Sequence, residues 1–342
     1  MKLYYYKDVI GNFGDDLNSW LWDALIPNFF DQDESVRMSG IGTIINTAMP
    51  KADKWIVFSS GVGYGNPPKN FGDASWDILS VRGPLSAKVL GLPKDKYITD
   101  GAALLNTLSE FKPLSENERN GTIFIPHHHA LLTGNWQYIC EQAGVEFVNP
   151  QWDAKIVINK IRGAKMVLAD AMHAAIIADA MRVPWLPLIT SPQINTFKWL
   201  DWTQTIQEKY SPLVLGSSSL RESIRSRGLG FYGENYYIKD LTIDSALSDF
   251  YSKRTYKGKI WWPKYNKAAK KLVSAIPDRI ALSLGETTLN KLDLKYIESA
   301  VKMLESCKER QPFLSNDNIF YENVSKLMTC IDKIKKYKLC SS

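Results

Sequence analysis

Residues 168–185 read LADAMHAAIIADAMRVPW, and this stretch determines the class of the fold. Its first residues end the apolar run MVLA, which is typical of a buried strand, and the alanine-rich residues that follow predict a buried helix. Pro184 ends the helical pattern, and WLPLI after it predicts a final strand. A strand, a helix and a second strand in this order predict parallel strands joined by a crossover helix.

The same alternation runs through the first 210 residues. Further predicted strands are KLYYY, KWIVFSS, ILSV, TIFI and VEFV. Predicted helices are DLNSWLWDALI, RGPLSAKVLG, NWQYICEQAG and DAKIVINKIRGA, and a glycine ends the second and the third of them. YITDGAALL also begins as a strand, which would end at Asp100. The polar stretch SEFKPLSENERNG interrupts the pattern, so we predict two Rossmann-like domains, residues 1–115 and 120–215, facing a cleft.

Length and composition are those of a globular protein with more than one core. The chain has 342 residues, more than one hydrophobic core usually supports, with 45% hydrophobic and 23% charged residues. The N-terminus lacks the apolar run of a signal peptide, and no run approaches the ~18 apolar residues of a membrane-spanning helix. The four cysteines fit no metal or redox spacing. We therefore expect a cytoplasmic protein.

The charge is concentrated near the C-terminus. Residues 253–342 contain 19 Lys and Arg against 9 Asp and Glu, while the net charge of the whole chain is +6. Charged amphipathic patterns predict a mainly helical basic extension over residues 216–342. Within it, KRTYKGKIWWPKYNKAAKK interleaves lysines with tryptophan and tyrosine, a combination that anionic membrane surfaces attract. A solvated helical appendage is the alternative; nucleic acid is a third reading of the same charge, and we expect no nucleic-acid partner.

His173 is the most informative polar residue of the opening stretch. It lies a few residues after the strand MVLA, where helix N-termini point toward ligands in open α/β sheets. We expect Asp170 to cap the helix, which leaves the imidazole near N–H groups that attract a phosphate or carboxylate. Histidine also suits proton transfer near neutral pH. The alternative is a packed histidine bonded to a neighbouring carbonyl.

Two other stretches predict residues of a cleft. In GNFGDDLN, Gly11 and Gly14 permit close approach to a ligand, and Asp15 or Asp16 is expected to cap the following helix; a purely structural turn is the alternative. HHH at 127–129 ends a strand, so His127 and His128 are expected to line the cleft. Three histidines could hold a metal, but no matching carboxylate or cysteine spacing supports one. GVGYG is a weak match to a dinucleotide loop, and DQD at 31–33 is expected to be a solvated loop.

Cationic residues also occur where strands end. Arg82 opens a helix directly after ILSV, with Ser86 one turn later, and a cation there opposes the helix dipole unless an anion lies nearby. Lys198 lies shortly after the last predicted strand. Cations, a histidine and carboxylates at strand ends together predict a site for a small anionic donor and a hydroxylated acceptor.

Five motifs in order resemble one known family. NFGDDLN, RGPLSAKVLG, TDGAALL, AMHAAIIADAMRVPW and FKWLDW are similar to polysaccharide pyruvyl transferases, in particular to bacterial exopolysaccharide ketal-pyruvate transferases of succinoglycan and xanthan type. The resemblance covers about residues 1–210. It implies a glycosyltransferase-B-like pair of domains, and transfer of pyruvate from phosphoenolpyruvate to a hexose as a ketal, with no redox cofactor and no metal.

The resemblance also implies roles for particular residues. Arg82, with Ser86, would hold the donor. His173, preceded by Met172 in place of leucine, would protonate the methylene carbon of phosphoenolpyruvate. Lys198 would add a second cation at the donor. Many members carry an arginine where this chain has Ala171, so Lys198 or Arg182 would have to replace it.

The remaining roles concern the acceptor. Asp15 would accept the hydroxyl proton, with Asp100 as a second candidate, and Asn12, Gly14, His127 and His128 would line the acceptor side. The acceptor implied is a lipid-linked saccharide at the inner membrane face, with the basic extension against the membrane. Two alternatives stay open: a nucleotide-sugar glycosyltransferase that binds UDP or GDP, and a non-catalytic assembly protein at the membrane surface.

Overall fold

Two parallel β-sheets form the centre of the protein in a computed structural model, which describes residues 1–7 and 9–339. The first sheet contains β1 to β4 and the second contains β5 to β9. The strands are β1 Lys2–Tyr4, β2 Val36–Ser39, β3 Lys54–Ser60, β4 Trp76–Val81, β5 Thr122–Ile125, β6 Glu146–Phe147, β7 Met166–Ala169, β8 Trp185–Ile189 and β9 Leu213–Val214.

Helices connect and cover these strands. The α-helices are α1 Phe13–Asp16, α2 Leu21–Leu25, α3 Pro84–Val89, α4 Trp136–Ala143, α5 Ala154–Gly163, α6 Met172–Ala180, α7 Thr196–Thr203, α8 Leu220–Gly228, α9 Ile243–Lys257, α10 Trp262–Ser274, α11 Ile276–Leu284, α12 Glu286–Cys307 and α13 Asp317–Leu339. Short 3-10 helices are Leu17–Ser19, Lys94–Lys96, Gly101–Thr107, Ser109–Phe111, Glu116–Glu118, His128–Leu132, Gln204–Ile206 and Leu229–Tyr232.

The strand order of the second sheet creates a place for a ligand. The first sheet has the order β1-β2-β3-β4, and the second has β6-β5-β7-β8-β9. In the second sheet the chain moves from β5 to one neighbour, β6, and then returns to the other side of β5 to form β7. This doubly wound order leaves a crevice beyond the carboxyl ends of β5 and β7, because the connections there run to opposite faces of the sheet.

Most predicted elements of the parallel sheets are confirmed. KWIVFSS, TIFI, MVLA and WLPLI form β3, β5, β7 and β8, and α6 begins at Met172 as the opening stretch predicts. Gly144 follows α4 with φ +60°, a left-handed conformation that ends the helix at little cost to glycine. The prediction of a mixed α/β protein with parallel sheets and a helical C-terminal region is therefore confirmed.

Several local predictions are wrong. Residues 16–26 do not form one helix, because Trp20 leaves helical geometry between the short segments. Val36–Ser39 is a strand that the sequence reading missed, and WLPLI is not the last strand, since β9 follows it. No strand ends at Asp100; its side chain instead accepts a hydrogen bond from Ala102 N at the start of a 3-10 helix.

The C-terminal helices pack into the rest of the protein. Phe313 exchanges two backbone hydrogen bonds with Trp185 of β8. Apolar side chains of α13, including Leu327 and Ile331, join the main core, and Leu304 of α12 joins the core cluster of the second sheet. Helices α12 and α13 of the basic extension therefore complete the core, whereas α10 buries no residue. Among the described residues, no helix combines the length and the apolar character that crossing a membrane requires.

Candidate active site

A cavity of about 490 Å³ opens at the crevice beyond β5 and β7. Residues that follow strands of both sheets contribute to its wall. The two sets of loops also touch: Phe13 N donates to Pro150 O at 3.0 Å. The predicted site residues in the wall are Asn12, Asp15, His127, His128, Met172, His173 and Lys198.

His173 lies in the first turn of α6, as predicted, and faces the cavity. Its Nε2 is buried and has no hydrogen-bond partner within the described part of the chain. Burial, together with the positive charges of Lys198 and Arg82, lowers the pKa of His173 to about 3. The imidazole is therefore neutral at neutral pH in these surroundings, and an anion beside it would raise its pKa.

Gly14 has a different role from the one predicted. A Cβ added at Gly14 would lie 2.0 Å from His173 Nδ1, so the glycine allows close approach of the backbone to the imidazole and not to a ligand. Gly14 is not part of the cavity wall. Because Gly14 has no side chain, the His173 ring has room to lie in this position.

Asp15 and Asn12 lie together at the start of α1. Asn12, and not Asp15 or Asp16, caps this helix, since its side chain accepts from Gly14 N. Asn12 Nδ2 donates to Asp15 Oδ2 at 2.8 Å, which orients the carboxylate beside the cavity. A carboxylate so placed can accept a proton from a bound hydroxyl group.

Lys198 lies in the first turn of α7, whose N-terminus is capped by Asn195. Its Nζ lies 5.2 Å from the centre of the Tyr64 ring. Its stem packs on Gly63, where an added Cβ would be 3.0 Å from Lys198 Cγ. Lys198 is the only lysine or arginine among the described residues that line the cavity. The glycine-rich loop GVGYG thus leaves space for side chains of the protein itself.

Arg82 is fully buried and does not line the cavity. Its guanidinium pairs with Asp201 of α7, with Nη2 2.9 Å and Nε 3.0 Å from Oδ2. The same carboxylate accepts from Ser86 N and Ser86 Oγ. The anion expected at the start of α3 is therefore the carboxylate of Asp201, a residue that was not predicted from the sequence.

Arg82 nevertheless contacts a residue of the cavity wall. Its Nη1 donates to Thr43 Oγ1 at 3.0 Å, and Thr43 faces the cavity. The ion pair also holds α7, and Asp201 lies one turn after Lys198 on that helix. Arg82 and Ser86 are consequently in a position to orient Thr43 and Lys198.

Two acidic residues differ from their predicted placement. Asp170 does not cap α6; its side chain accepts from His127 N, Thr190 N and Thr190 Oγ1, which joins the ends of β5, β7 and β8. Burial raises the pKa of Asp170 to about 6. Asp100 is buried away from the cavity wall, and its Oδ2 has no partner among the described residues.

Three consecutive histidines follow β5 at the cavity. The ring centres of His127 and His128 are 4.3 Å apart, and those of His128 and His129 are 4.1 Å apart. One potential ligand atom from each ring lies within 4.8 Å of the others, a spacing at which three side chains could share a bound ion. We call residues 127–129 the histidine cluster.

Ala171, at the position where the family resemblance implies an arginine, lines the cavity, and the structure identifies which cation is near it. Arg182 faces away: it pairs with Asp317 at 2.8 Å and lies over the Phe320 ring, where it anchors α13. Lys198, in contrast, lies in the wall with Ala171. Of the two candidates, only Lys198 can reach a ligand in this cavity.

Several residues of the cavity wall lie on long connections and were not predicted from the sequence. Thr43 and Asn46 follow β2, and Tyr64 follows β3, on segments without regular helices. Tyr236 and Glu234 belong to the C-terminal extension and also face the cavity. The long irregular stretches before and after the predicted strand KWIVFSS were the available signal, because long irregular loops in compact domains are commonly functional.

The chain is similar to known proteins. The family model for polysaccharide pyruvyl transferase matches residues 45–192. The chain is 41% identical over 241 residues to the succinoglycan biosynthesis protein ExoV of Rhizobium meliloti (strain 1021), covering 70% of this chain and 75% of that protein. No solved structure matches the chain.

Proposed function

Because the chain belongs to the polysaccharide pyruvyl transferase family, in its succinoglycan-type branch, and is a pyruvyltransferase, we propose that it transfers pyruvate from phosphoenolpyruvate to a hexose of an exopolysaccharide repeat unit. The product is a cyclic pyruvate ketal, and inorganic phosphate is released. The observation that carries this proposal is the unpartnered, buried Nε2 of His173 beside Lys198 in one cavity.

Phosphoenolpyruvate is an anionic donor, and the cavity offers suitable partners for it. Lys198 supplies a charge, and the first turn of α6 presents backbone N–H groups with a positive helix dipole. Ala171 replaces the arginine of related proteins, so we assign the main charge contact to Lys198. Met172 forms an apolar wall next to His173.

The reaction follows from the positions of two side chains. His173, protonated when the donor binds, gives its proton to the methylene carbon, and positive charge develops on the carbon that carries the phosphate. One sugar hydroxyl attacks this carbon and phosphate leaves; a second hydroxyl then closes the ring. Asp15 accepts a hydroxyl proton, and the other hydroxyl proton restores His173. No redox cofactor or metal enters these steps.

The two sheets support a proposal about architecture as well. We assign residues 1–115 and 120–215 to two Rossmann-like domains in a glycosyltransferase-B-like arrangement, with residues 216–342 as the C-terminal extension. The cavity lined by loops of both sheets supports this division. In this arrangement the donor would lie against the second domain and Asp15 of the first domain would face the acceptor.

Thermal unfolding with separate ligands tests the donor. A ligand at about 100 times its dissociation constant adds about 2.7 kcal/mol, enough to raise the midpoint by several degrees. We expect this shift with phosphoenolpyruvate and not with UDP or GDP. Lys198→Met should abolish it, while Lys209→Met, which removes an exposed lysine outside the cavity wall, should not. A shift with a nucleotide alone would contradict the proposal and favour a nucleotide-sugar glycosyltransferase.

We further propose that the acceptor is lipid-linked and that the extension contacts an anionic membrane at the inner face. Apolar side chains project at and near the turn between α9 and α10: Ile260 is 99% exposed and Trp261 is 55% exposed. Exposed lysines surround them, namely Lys259, Lys264, Lys267 and Lys271. On the side facing the protein, Lys257 Nζ donates to the hydroxyl of Tyr236, a residue of the cavity wall. Membrane contact here would bring the lipid-linked sugar close to the cavity.

Vesicle binding tests the membrane contact. Replacing Lys259, Lys264, Lys267 and Lys271 by alanine should weaken binding to phosphatidylserine-containing vesicles about 100- to 1,000-fold, since each basic residue contributes about 1 kcal/mol. The matched control replaces Lys326, Lys333, Lys335 and Lys336 of α13, which are also exposed and give the same change in charge. Equal losses in both variants, or no binding by the unmodified protein, would contradict the proposal. Deleting the extension is unsuitable, because α12 and α13 are part of the core.

A further inference from the structure

The histidine cluster lies at the switch point of the second sheet, where ligands of doubly wound sheets bind. His127 follows β5, and its backbone N–H donates to Asp170, which follows β7. All three rings line the cavity, and His129 Nδ1 is buried without a hydrogen-bond partner among the described residues. The catalytic steps assigned to His173 and Asp15 make no use of these three rings.

Positive charge surrounds the cluster from three elements. Lys198 of α7 and Arg225 of α8 act on His127, and Arg225 and Lys270 of α10 act on His129. Arg225 is held in place, since it donates to His129 O at 3.1 Å and to Gln193 Oε1 at 2.8 Å. Burial of the rings, together with these cations, lowers the pKa of His127 well below its usual value and that of His129 to about 3.

The described carboxylates near the rings are bound to groups other than Lys198 and Arg225. Glu234 pairs with Lys270 at 2.7 Å and also accepts from Gln193, while Asp170 accepts from His127 N and from Thr190. Among the described residues, neither Lys198 nor Arg225 has a carboxylate within ion-pair distance. Asp15 also lines the cavity and accepts from Asn12 Nδ2, so among the described residues Lys198 and Arg225 are the cations near the rings that no carboxylate pairs with.

This charge decides between two classes of ligand. The spacing of the rings would suit a metal ion, but a divalent cation would be repelled by Lys198, Arg225 and Lys270. An anion would be attracted by the same groups, and the rings can become N–H donors to its oxygens. Phosphate oxygens have the geometry and charge to use several such donors at once.

We propose that His127, His128 and His129, with Arg225, Lys198 and Lys270 around them, form a binding subsite for a phosphate or diphosphate group. The group has two chemical sources, the phosphoryl group of the donor or a diphosphate that links the acceptor sugar to its lipid carrier. The inference deepens the proposed function and rests on it for the identity of the source, but the binding of phosphate itself does not depend on the reaction.

The low number of histidines makes this subsite directly observable. The chain has four histidines, so protein with carbon-13-labelled histidine gives four sets of ring resonances, one from His173 and three from the cluster. Single substitutions to asparagine assign them. We expect inorganic phosphate to move the resonances of residues 127–129 toward imidazolium positions, because a bound anion favours ring protonation.

Two further titrations identify the source. If phosphoenolpyruvate moves the cluster together with His173, the donor supplies the phosphoryl group; if geranyl diphosphate moves the cluster and leaves His173 in place, the acceptor supplies a diphosphate. Both results support the subsite. Cluster resonances that respond to none of the three ligands, or that respond to Zn²⁺ and not to phosphate, would overturn it.

Charge variants provide the matched test. Arg225→Gln should weaken phosphate binding about tenfold or more, since it removes a charged hydrogen-bonding group. Lys270→Ala, at a half-exposed side chain, should weaken it about two- to fivefold, and the adjacent Lys271→Ala should leave it unchanged. Equal effects of Lys270→Ala and Lys271→Ala would overturn the assignment. Failure of phosphoenolpyruvate to stabilise the protein, with phosphate still moving the cluster, would instead reject the donor proposal alone.

Discussion

His173→Ala is expected to lower kcat about 100- to 10,000-fold, the usual contribution of a positioned acid, while the protein still binds phosphoenolpyruvate. The imidazole has no hydrogen-bond partner on Nε2 within the described chain, so its removal should change the unfolding midpoint little. Steady-state release of phosphate in the presence of acceptor measures kcat, and calorimetry measures donor affinity. A variant that keeps more than a tenth of the normal kcat would contradict the assignment.

The protonation of His173 determines how the affinity for phosphoenolpyruvate depends on pH. The pKa of about 3, set by burial with Lys198 and Arg82 nearby, means that the His173 ring is neutral at pH 7, whereas a proton donor must be charged in the complex with phosphoenolpyruvate. Binding therefore raises the pKa and takes up a proton, so donor affinity should increase as pH falls toward 6. Titration in two buffers with different ionisation enthalpies should show about one proton less taken up by His173→Ala than by the unmodified protein.

Gly14→Ala tests whether the reaction depends on the position of the His173 ring as well as on its ability to carry a proton. The added Cβ would overlap His173 Nδ1, so the ring must move although it remains able to carry a proton. We expect kcat to fall in this variant as well, with part of the normal proton uptake retained. Unchanged kcat would show that the reaction does not depend on the present position of the ring.

Arg82→Ala is expected to destabilise the protein by about 3–5 kcal/mol, because it leaves the Asp201 carboxylate buried without its charged partner. The direct comparison is Asp201→Ala, which should destabilise by a similar amount. Combining both substitutions should cost less than the sum of the two, since the pair is then removed as a unit. Urea unfolding measures all three. Lys326→Ala breaks an exposed ion pair on α13 and should change stability by less than about 1 kcal/mol.

Donor affinity then distinguishes positioning from direct contact. If Arg82 acts through α7 and Thr43, Arg82→Ala and Asp201→Ala should weaken phosphoenolpyruvate binding to the same extent. If the guanidinium held the donor, as the family resemblance implies, Arg82→Ala alone would give the large loss. A much greater loss in Arg82→Ala than in Asp201→Ala would contradict the positioning role.

The sequence predicts what local pattern determines. Apolar runs such as KWIVFSS and MVLA identify their strands because both faces of a parallel sheet are buried, and α6 follows from an alanine-rich run after a strand end. VRMS in β2 is short and contains Arg37, so its pattern is too weak to identify a strand. Placement of His173, Lys198 and Asp15 at one cavity followed from strand-end positions alone.

Contacts between residues that are far apart in the sequence cannot be predicted from such local patterns. Arg82 is separated from Asp201 by 119 residues, and nothing local to either residue indicates that they meet. The same holds for Gly14 and His173, where a glycine read as a ligand contact instead accommodates an imidazole. Strand order, too, required the structure, although the resulting switch point explains why the histidine cluster and His173 face one cavity.

The pairing of Phe313 with Trp185 has a consequence for the order in which the protein can form during synthesis. A nascent chain that has emerged only as far as residue 300 contains the nine strands of the described residues, yet it lacks both the bridge from Phe313 to Trp185 at the start of β8 and the contribution of α13 to the core. The apolar surface that Leu327 and Ile331 cover is then open to water and to other chains. Translation must therefore proceed well past His173 and Lys198 before these residues lie on a finished scaffold, and until that point the exposed apolar surface favours association with other chains.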